Sequence, residues 1–404
     1  MMLSLAWRNI WRNKMRSIVI MFSISVGLFA GIAVLALYKG MMKARIRTVI
    51  DAESGHLQLH HADFKKDFEP RFVIIGPEEM RAAIEKIPGV KQVAPRSITQ
   101  GMLSTTTGSA GVQINGVIPQ LEYVASQLRQ KITEGRPFDS SRKNEIMIGK
   151  KLATRLKLKP GLKLVLTFTD TAGSMVAAAF RVCAVYQSAN TPLDERNVYI
   201  RMPELNELLG IGPAAHELAI LLNRDEDLAT VQDALKKNDP NYLVENWREL
   251  APETDLMVKT TDQLSYILMT IIMIALAFGI VNTMLMAVLE RTKEIGMMMA
   301  LGTTRLKIFQ LVLLETIYLT FAGAPAGILA GWAASTWFGK NGLDLSGMGK
   351  EMMSSFGYST LIYPEFPADK LGGVILIVVA TAIISCLFPA MKALKLRPVE
   401  ALRR

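Results

Sequence analysis

Long apolar runs occupy the first forty residues and the last hundred and forty of the chain, and a sequence of mixed polarity lies between them. The hydrocarbon core of a bilayer is about 30 Å thick and needs roughly 20 apolar helical residues to cross it. Four runs are long enough, and they predict four transmembrane helices at residues 18–38, 264–289, 308–338 and 371–391. The first is interpreted as an uncleaved anchor, because its apolar stretch exceeds the ~7–15 residues usual in a signal peptide.

The intervening residues, 45–262, predict a large α+β domain outside the membrane. Two segments with a strand–helix–strand pattern flank a β-rich stretch: "GHLQLHH" and "PEEMRAAIEKIPGV" belong to the first, and "HELAILLN" and "DEDLATVQDALKKN" belong to the second. Alternating polarity predicts the strands, and proline or acidic residues at the start of a periodic segment predict the helices. We therefore expect an α+β subdomain formed by 45–118 with 213–262, and a β-rich subdomain at 119–212.

Basic residues gather at the ends of the apolar runs, so the net charge of +10 is better explained by a membrane surface than by nucleic acid. Clusters lie in the amphipathic N-terminal segment 1–17, around the break at 290–304 and in the tail 392–404. The positive-inside rule places these segments in the cytoplasm, with the large domain and the loop at 339–370 on the other side. One cluster directly after the first span opposes this orientation: Lys39, Lys43, Arg45 and Arg47.

The sequence offers little that is typical of a catalytic or metal site. His56, His60 and His61 are close together, but no pattern of nearby acidic or thiol ligands accompanies them, and we interpret them as polar strand residues. The two cysteines, Cys183 and Cys386, do not indicate a disulfide framework. The sequence has no G-x-x-x-x-G-K-[ST] phosphate loop. We therefore expect no catalytic, cofactor-binding or metal-binding residues in this chain.

The break at residues 290–304, "ERTKEIGMMMALGTT", interrupts the apolar region with charge, methionine and glycine. Its pattern predicts a short helix at the membrane surface that ends at Gly302. Met297, Met298 and Met299 supply flexible, polarizable side chains suited to an adaptable groove on a partner. A helix lying among lipid headgroups is the alternative interpretation of the same residues.

The sequence "ERTKEIGMMMALGTTRLKIFQLVLLETIYLTFAGAPAGILAG" resembles the characteristic block of the FtsX-like, MacB-type permease family of ABC transporters. "PAMKALKLRPVEALR" resembles the closing stretch of that family, and "LAWRNIWRNKMRS" resembles its opening. The family includes the permease part of macrolide exporters and the lipoprotein-releasing permeases. The resemblance implies a membrane protein with four transmembrane α-helices and a two-subdomain, MacB-type α+β extracytoplasmic domain between helices 1 and 2. The loop at 339–370 is longer than the family pattern.

The resemblance also implies partners. By the resemblance, the segment at 290–304 is a coupling helix that docks on a separate ABC ATPase dimer. ATP and magnesium are expected on that ATPase. A second permease copy or a related permease, membrane lipid, and a lipoprotein substrate or periplasmic carrier are the other implied partners; nucleic acid is not. The location implied is the bacterial inner membrane. The expected docking residues are Glu290, Arg291, Lys293, Glu294, Ile295, Met297, Met298, Met299 and Leu301.

Within the family, the length of the chain and the lack of a fused ATPase favour the lipoprotein-releasing branch, which extracts lipoproteins from the outer leaflet. Two alternatives stay open: MacB-like efflux of small amphiphiles or peptides through a tripartite pump, and FtsX-like signalling to a periplasmic hydrolase. Extraction requires an apolar surface for acyl chains near the outer ends of spans one and two. The candidate substrate contacts are Leu35, Leu37, Leu264, Ile267 and Leu268.

Small residues at helical spacing predict close contact between spans, which we interpret as packing within one chain in preference to a dimer seam. Glu315 lies inside the third span, where a carboxylate is a functional candidate by default. A structural polar contact is favoured for it over a proton relay. The small residues are Gly27, Gly31, Gly323, Gly327 and Gly331.

Overall fold

The structure, a computed structural model, describes residues 7–8, 10–12, 14–139, 141–239, 241–348, 353, 358 and 360–394. Predictions for residues 1–6, for the tail beyond 394 and for most of 349–359 therefore lie outside the described residues. The helices are α1 (Lys14–Val49), α2 (Phe64–Asp67), α3 (Pro77–Ile84), α4 (Pro119–Ala125), α5 (Lys150–Arg155), α6 (Thr191–Arg196), α7 (Met202–Leu209), α8 (Leu228–Asn238), α9 (Trp247–Leu250), α10 (Pro252–Glu290), α11 (Thr292–Ala300), α12 (Arg305–Asn341) and α13 (Leu371–Leu394).

Strands concentrate between α1 and α10. They are β1 (Leu57–His61), β2 (Ile74–Ile75), β3 (Val90–Thr105), β4 (Gly108–Val117), β5 (Ile132–Gly135), β6 (Glu145–Gly149), β7 (Lys163–Thr169), β8 (Met175–Tyr186), β9 (Asn197–Arg201), β10 (Ala214–Ala215), β11 (Glu217–Leu222), β12 (Tyr242–Asn246), β13 (Leu343–Asp344) and β14 (Leu361–Ile362). The chain divides into two compact units, a helical one at 1–42, 258–344 and 361–404, and a β-rich one at 43–257 and 345–360.

Four helices of the described residues, α1, α10, α12 and α13, are long and apolar enough to cross a membrane. The prediction of four spans, with a large α+β domain inserted between the first and the second, is confirmed. All four helices are longer than predicted, and two of them by more than ten residues: α1 continues to Val49, and α10 begins at Pro252. The charged segment after the first span contains no glycine or proline from Met41 onward until Gly55, so nothing in it breaks the helix.

The first half of the external domain is an open antiparallel sheet with the strand order β12-β1-β11-β3. Its strands come from both ends of the insert, as the two strand–helix–strand patterns predicted, and they alternate in space. Its apolar face packs against α3 and α8 through Leu57, Leu59, Ile84, Val93, Leu218, Ile220, Val231 and Leu235.

The second half is a closed six-stranded barrel with the order β3-β4-β9-β6-β8-β7, in which β7 returns to β3. Inward residues fill it, because alternate side chains of every strand point to the same side. They include Leu103, Ile114, Ile146, Ile148, Leu164, Leu166, Phe168, Phe180, Val182, Val198 and Ile200.

The division between the two halves differs from the predicted boundary at residue 119. Leu103, Val112 and Ile114 belong to the barrel core although they precede that residue. The cause is β3, which pairs with β11 over its first part and with β7 over its second. Such long-range pairing leaves no local sign in the sequence of a strand.

Candidate functional site

The predicted coupling segment forms the nine-residue helix α11, Thr292–Ala300. Gly302 ends it with a φ of +89°, in the left-handed region. The amide of Gly302 donates to the carbonyl of Met299 over 3.1 Å, and the amide of Thr303 donates to that of Met298 over 2.9 Å. This pair of bonds is the Schellman arrangement, which a glycine at that position permits. The predicted helix and its predicted end are therefore both present.

The two faces of α11 differ in their surroundings. Ile295 and Gly296 are buried, and Met298 and Met299 pack against the apolar core of the spans. Met297 is 52% exposed, and Leu301 just past the helix is 85% exposed. The exposed Lys293 completes the outward stripe, since residues four apart share one face of a helix. The stripe that is free to meet a partner is therefore Lys293, Met297 and Leu301, and of the three methionines only Met297 points outward.

A chain of ion pairs fixes this helix. Arg291 donates to Glu315 of α12 over 2.7 Å and to Glu294 of α11 over 3.1 Å. Glu294 also accepts a hydrogen bond from Arg12 of the N-terminal segment. The pKa of Glu294 is lowered from its ordinary value, and the hydrogen bond from Arg12 is the largest cause. Glu315 is thus one partner of a buried pair that ties the third span to the break, the structural contact favoured by the sequence.

Arg12 was missed by reasoning from the sequence. Its signal is the repeat "WRNIWRN", which places two tryptophans and two arginines at a spacing of four. The rings of Trp7 and Trp11 lie 6.0 Å apart, and Trp7 also contacts the ring of Tyr318 at 5.9 Å. The repeat is therefore a helical face, and Arg12 extends from it to α11.

The proposed substrate contacts have different exposures. Leu35 is 6% exposed and belongs to the core of the spans, so the structure contradicts its prediction as a lipid-facing contact. Leu37 and Leu268 are half-buried. Leu264 and Ile267 are exposed on α10. Only the last two therefore present a side chain to an apolar ligand without movement of the helices.

The five glycines lie at close contacts between helices of one chain. A Cβ on Gly327 would lie 2.5 Å from the carbonyl oxygen of Ser25, and one on Gly323 would lie 2.7 Å from that of Met21. A Cβ on Gly331 would lie 2.7 Å from the side chain of Ile32. On α1 itself, Gly27 faces Leu276 and Gly31 faces Met269 of α10. These glycines allow α1 to approach its neighbours closely.

The histidine cluster forms polar contacts within the β-rich unit. Nε2 of His60 lies 2.7 Å from Oε2 of Glu245, which also accepts from Lys65. The pKa of Glu245 is lowered to about 2, with the hydrogen bond to His60 as the largest cause and the bond from Lys65 as a further one. His56 contacts Asp225 at 3.1 Å. Among the described residues, no group of three potential ligands is placed to hold a metal ion.

The sequence was compared with known families and proteins. Residues 17–238 match the MacB-like periplasmic core domain, and residues 266–398 match the FtsX-like permease C-terminal domain. The macrolide export ATP-binding/permease protein MacB of Agrobacterium fabrum is 24% identical over 425 residues, which cover 100% of this chain and 60% of that protein. The lipoprotein-releasing system transmembrane protein LolC of Xylella fastidiosa is 23% identical over 335 residues, 78% of each chain.

A crystal structure of the periplasmic region of MacB from Actinobacillus actinomycetemcomitans is 13% identical and covers 52% of this chain and 95% of that one, with a TM-score of 0.37. The family match to the periplasmic core domain extends over more than half of the chain, and the C-terminal match adds the last three spans. The chain therefore belongs to the MacB-type, FtsX-like family of ABC transporter permeases.

Proposed function

We propose that this permease couples ATP hydrolysis on a separate ATPase dimer, which holds the ATP and magnesium, to extraction of lipoproteins from the outer leaflet of the bacterial inner membrane. The observation that carries the coupling is the outward stripe of α11. Two apolar side chains and a cation face away from the spans there, while the opposite side of the same helix is held by Arg291. A movement imposed on the stripe is thereby passed to α12.

The orientation we propose places both termini in the cytoplasm and the β-rich unit in the periplasm. The basic residues that opposed it are partly neutralised, since Nζ of Lys39 lies 2.6 Å from Asp369 and 3.5 Å from Glu365. Lys293 and Arg305 at the other end have no ion-pair partner among the described residues. Unpaired positive charge is therefore present at the proposed cytoplasmic end, in line with the positive-inside rule.

Cysteine labelling tests this orientation. A cysteine at Asn241 is expected to react with an impermeant thiol reagent in intact cells, and one at Thr303 is expected to react only after permeabilisation. The native Cys183 and Cys386 are both buried. Labelling of Thr303 from outside would contradict the orientation.

The substrate is proposed from LolC, because the match covers equal shares of the two proteins. The match to the lipoprotein-releasing LolC covers the same 78% of both proteins, and exposed Leu264 and Ile267 supply an apolar surface on α10. Acyl chains leaving a bilayer need such a surface, because exposure to water costs about 0.8 kcal/mol per CH₂. The complex would contain two permeases, either two copies or one copy and a related chain, and it would pass the lipoprotein to a periplasmic carrier.

Reconstitution tests this proposal. The permease and its ATPase are placed in proteoliposomes that carry a fluorescent triacylated lipoprotein, and its ATP-dependent release is measured. Photo-crosslinkers at Leu264 and Ile267 are expected to capture the lipoprotein, whereas crosslinkers at Leu376 and Ile384, which are more exposed and lie on α13, serve as the control.

Export of small amphiphiles is the second candidate, because the match to the macrolide exporter extends over the whole of this chain. ATP-dependent macrolide transport, without lipoprotein release, would replace our proposal with this one.

A further inference from the structure

A groove in the β-rich unit has a floor of carboxamide side chains. Gln100, Gln113 and Asn197 lie on the adjacent strands β3, β4 and β9, and the register pairs Gln100 with Gln113 and Gln113 with Asn197. Directly paired residues point to the same face of a sheet, about 5 Å apart. The three amides therefore form a row on the outer surface of the barrel, and all three line one groove of about 970 Å³.

The row has hydrogen-bonding capacity that the chain itself does not use. Asn197 is 9% exposed, and its side-chain amide has no partner within the described part of the chain. Nε2 of Gln113 donates to Asn115 over 2.9 Å, and no bond to its Oε1 is present within the described residues. Gln100 is exposed and likewise has no side-chain partner among the described residues. The amide atoms of Asn197 are partly accessible, so a ligand or water can satisfy them.

The walls restrict the class of ligand. Leu193 of α6 and Met257 of α10 supply apolar surface, and the charged residues that line the groove, Arg45, Arg196 and Glu253, include both signs. A strongly charged ligand would therefore meet repulsion from one of them. None of the described residues that line the groove is aromatic, so it lacks the flat surface on which sugar rings or bases stack.

We infer that this groove binds an extended, uncharged polypeptide segment. A carboxamide both donates and accepts, and so it matches the N–H and C=O groups of a peptide backbone, while the apolar walls receive side chains. The volume lies within the ~300–1,000 Å³ of typical ligand sites. The inference deepens the proposed function, on which it rests for the source of the segment, because it gives the protein part of a lipoprotein a place on the permease.

Peptide binding to the full-length permease in lipid nanodiscs tests the inference. The probes are fluorescein-labelled twelve-residue peptides of Ser, Thr, Asn, Gln and Ala, and the comparison probe is labelled maltoheptaose; both are followed by fluorescence anisotropy. The wild type is expected to bind the peptides, and the variant Gln100→Ala/Gln113→Ala/Asn197→Ala is expected to bind them at least tenfold more weakly. The control variant, Ser104→Ala/Ser109→Ala/Thr167→Ala, changes polar residues of the same barrel that do not line the groove.

A second variant avoids the risk that the triple change unfolds the barrel. A Cβ on Gly111 meets no atom within 4 Å, and this residue lies on the groove floor two positions from Gln113. Gly111→Trp is expected to fill the groove and to abolish binding, whereas Ser109→Trp, on the same face of β4, is expected to leave it unchanged.

Absence of peptide binding to the wild type would overturn the inference, as would binding that survives Gly111→Trp. Binding of maltoheptaose in place of the peptides would also overturn it and identify a glycan site. The assay needs neither ATP nor lipoprotein, so its failure is distinguishable from failure of the release assay. Peptide binding without lipoprotein release would contradict the proposed function and leave the groove as a peptide site.

Discussion

Arg291 donates a 2.7 Å hydrogen bond to Glu315, and only 12% and 8% of the two side chains are exposed. Removal of one partner from a buried pair typically costs about 3–5 kcal/mol, because a charge stays buried without compensation. We expect Glu315→Ala to lower the melting temperature of the detergent-purified permease and to uncouple ATPase activity from release. Glu207→Gln, on the exposed surface of α7, is the control and is expected to change neither.

The double variant Arg291→Met/Glu315→Leu separates the pair from the single carboxylate. Replacement of both charges by apolar side chains is often neutral for stability, so the melting temperature is expected to recover. Recovery of stability without recovery of coupling would show that the charges act in transmission. Coupled release at the wild-type rate in Glu315→Ala would contradict the proposed route through α12.

The outward stripe of α11 predicts different effects for two adjacent methionines. Met297→Asp places a charge on the exposed face, and we expect it to reduce copurification with the ATPase by tenfold or more while the melting temperature stays unchanged. Met298→Asp places the charge among the spans, and we expect a lower melting temperature and poor membrane yield. Equal copurification of the wild type and Met297→Asp, in a stable protein, would favour a helix that lies in lipid headgroups.

The glycine contacts predict a large difference between two Gly→Ala changes. A methyl group on Gly327 would lie 2.5 Å from a backbone oxygen of α1, so α1 and α12 must separate, and we expect a loss of about 1–3 kcal/mol. On Gly279 the added Cβ meets nothing within 4 Å, and the change is expected to be neutral or slightly stabilising because alanine favours helix. Thermal unfolding of the two variants side by side tests this, and equal melting temperatures would contradict the close packing.

The stability of the external domain is expected to depend on His216. Its Nδ1 accepts from the amide of Ile98 over 2.9 Å, and burial lowers its pKa to about 4 from an ordinary value near 6.5. The unfolded chain therefore binds the proton more tightly, and the free energy of unfolding falls as the pH drops from 6.5 towards 4, by on the order of 3 kcal/mol. Asp194 acts in the opposite direction, because burial raises its pKa to about 6 and its protonation favours the folded state.

The free energy of unfolding of the full-length protein is measured between pH 7 and pH 4.5 for the wild type and for His216→Gln. The difference between the two curves gives the contribution of His216. The variant should lose stability less steeply with falling pH. His61→Gln, at a partly exposed position, is the control. Parallel curves for the wild type and His216→Gln would contradict the assignment to His216.

Local patterns in the sequence were sufficient for the four spans, the strands at both ends of the insert and the end of α11 at Gly302. They were insufficient where a position depends on distant contacts. Leu35 and Leu264 are equally apolar, yet one is buried against neighbouring helices and the other is exposed, since helix rotation follows from packing. The three methionines of α11 could not be sorted either, because their exposure depends on how the helix packs against the spans.

The length of β3 has a mechanical consequence. The uninterrupted strand β3, Val90–Thr105, is the edge strand of the open sheet and is also one of the six strands of the closed barrel. A force that pulls the two halves apart along β3 loads its ladder hydrogen bonds in shear, so that many must break together before the strand slips. The sheet and the barrel are therefore expected to resist separation, because β3 pairs with strands of both.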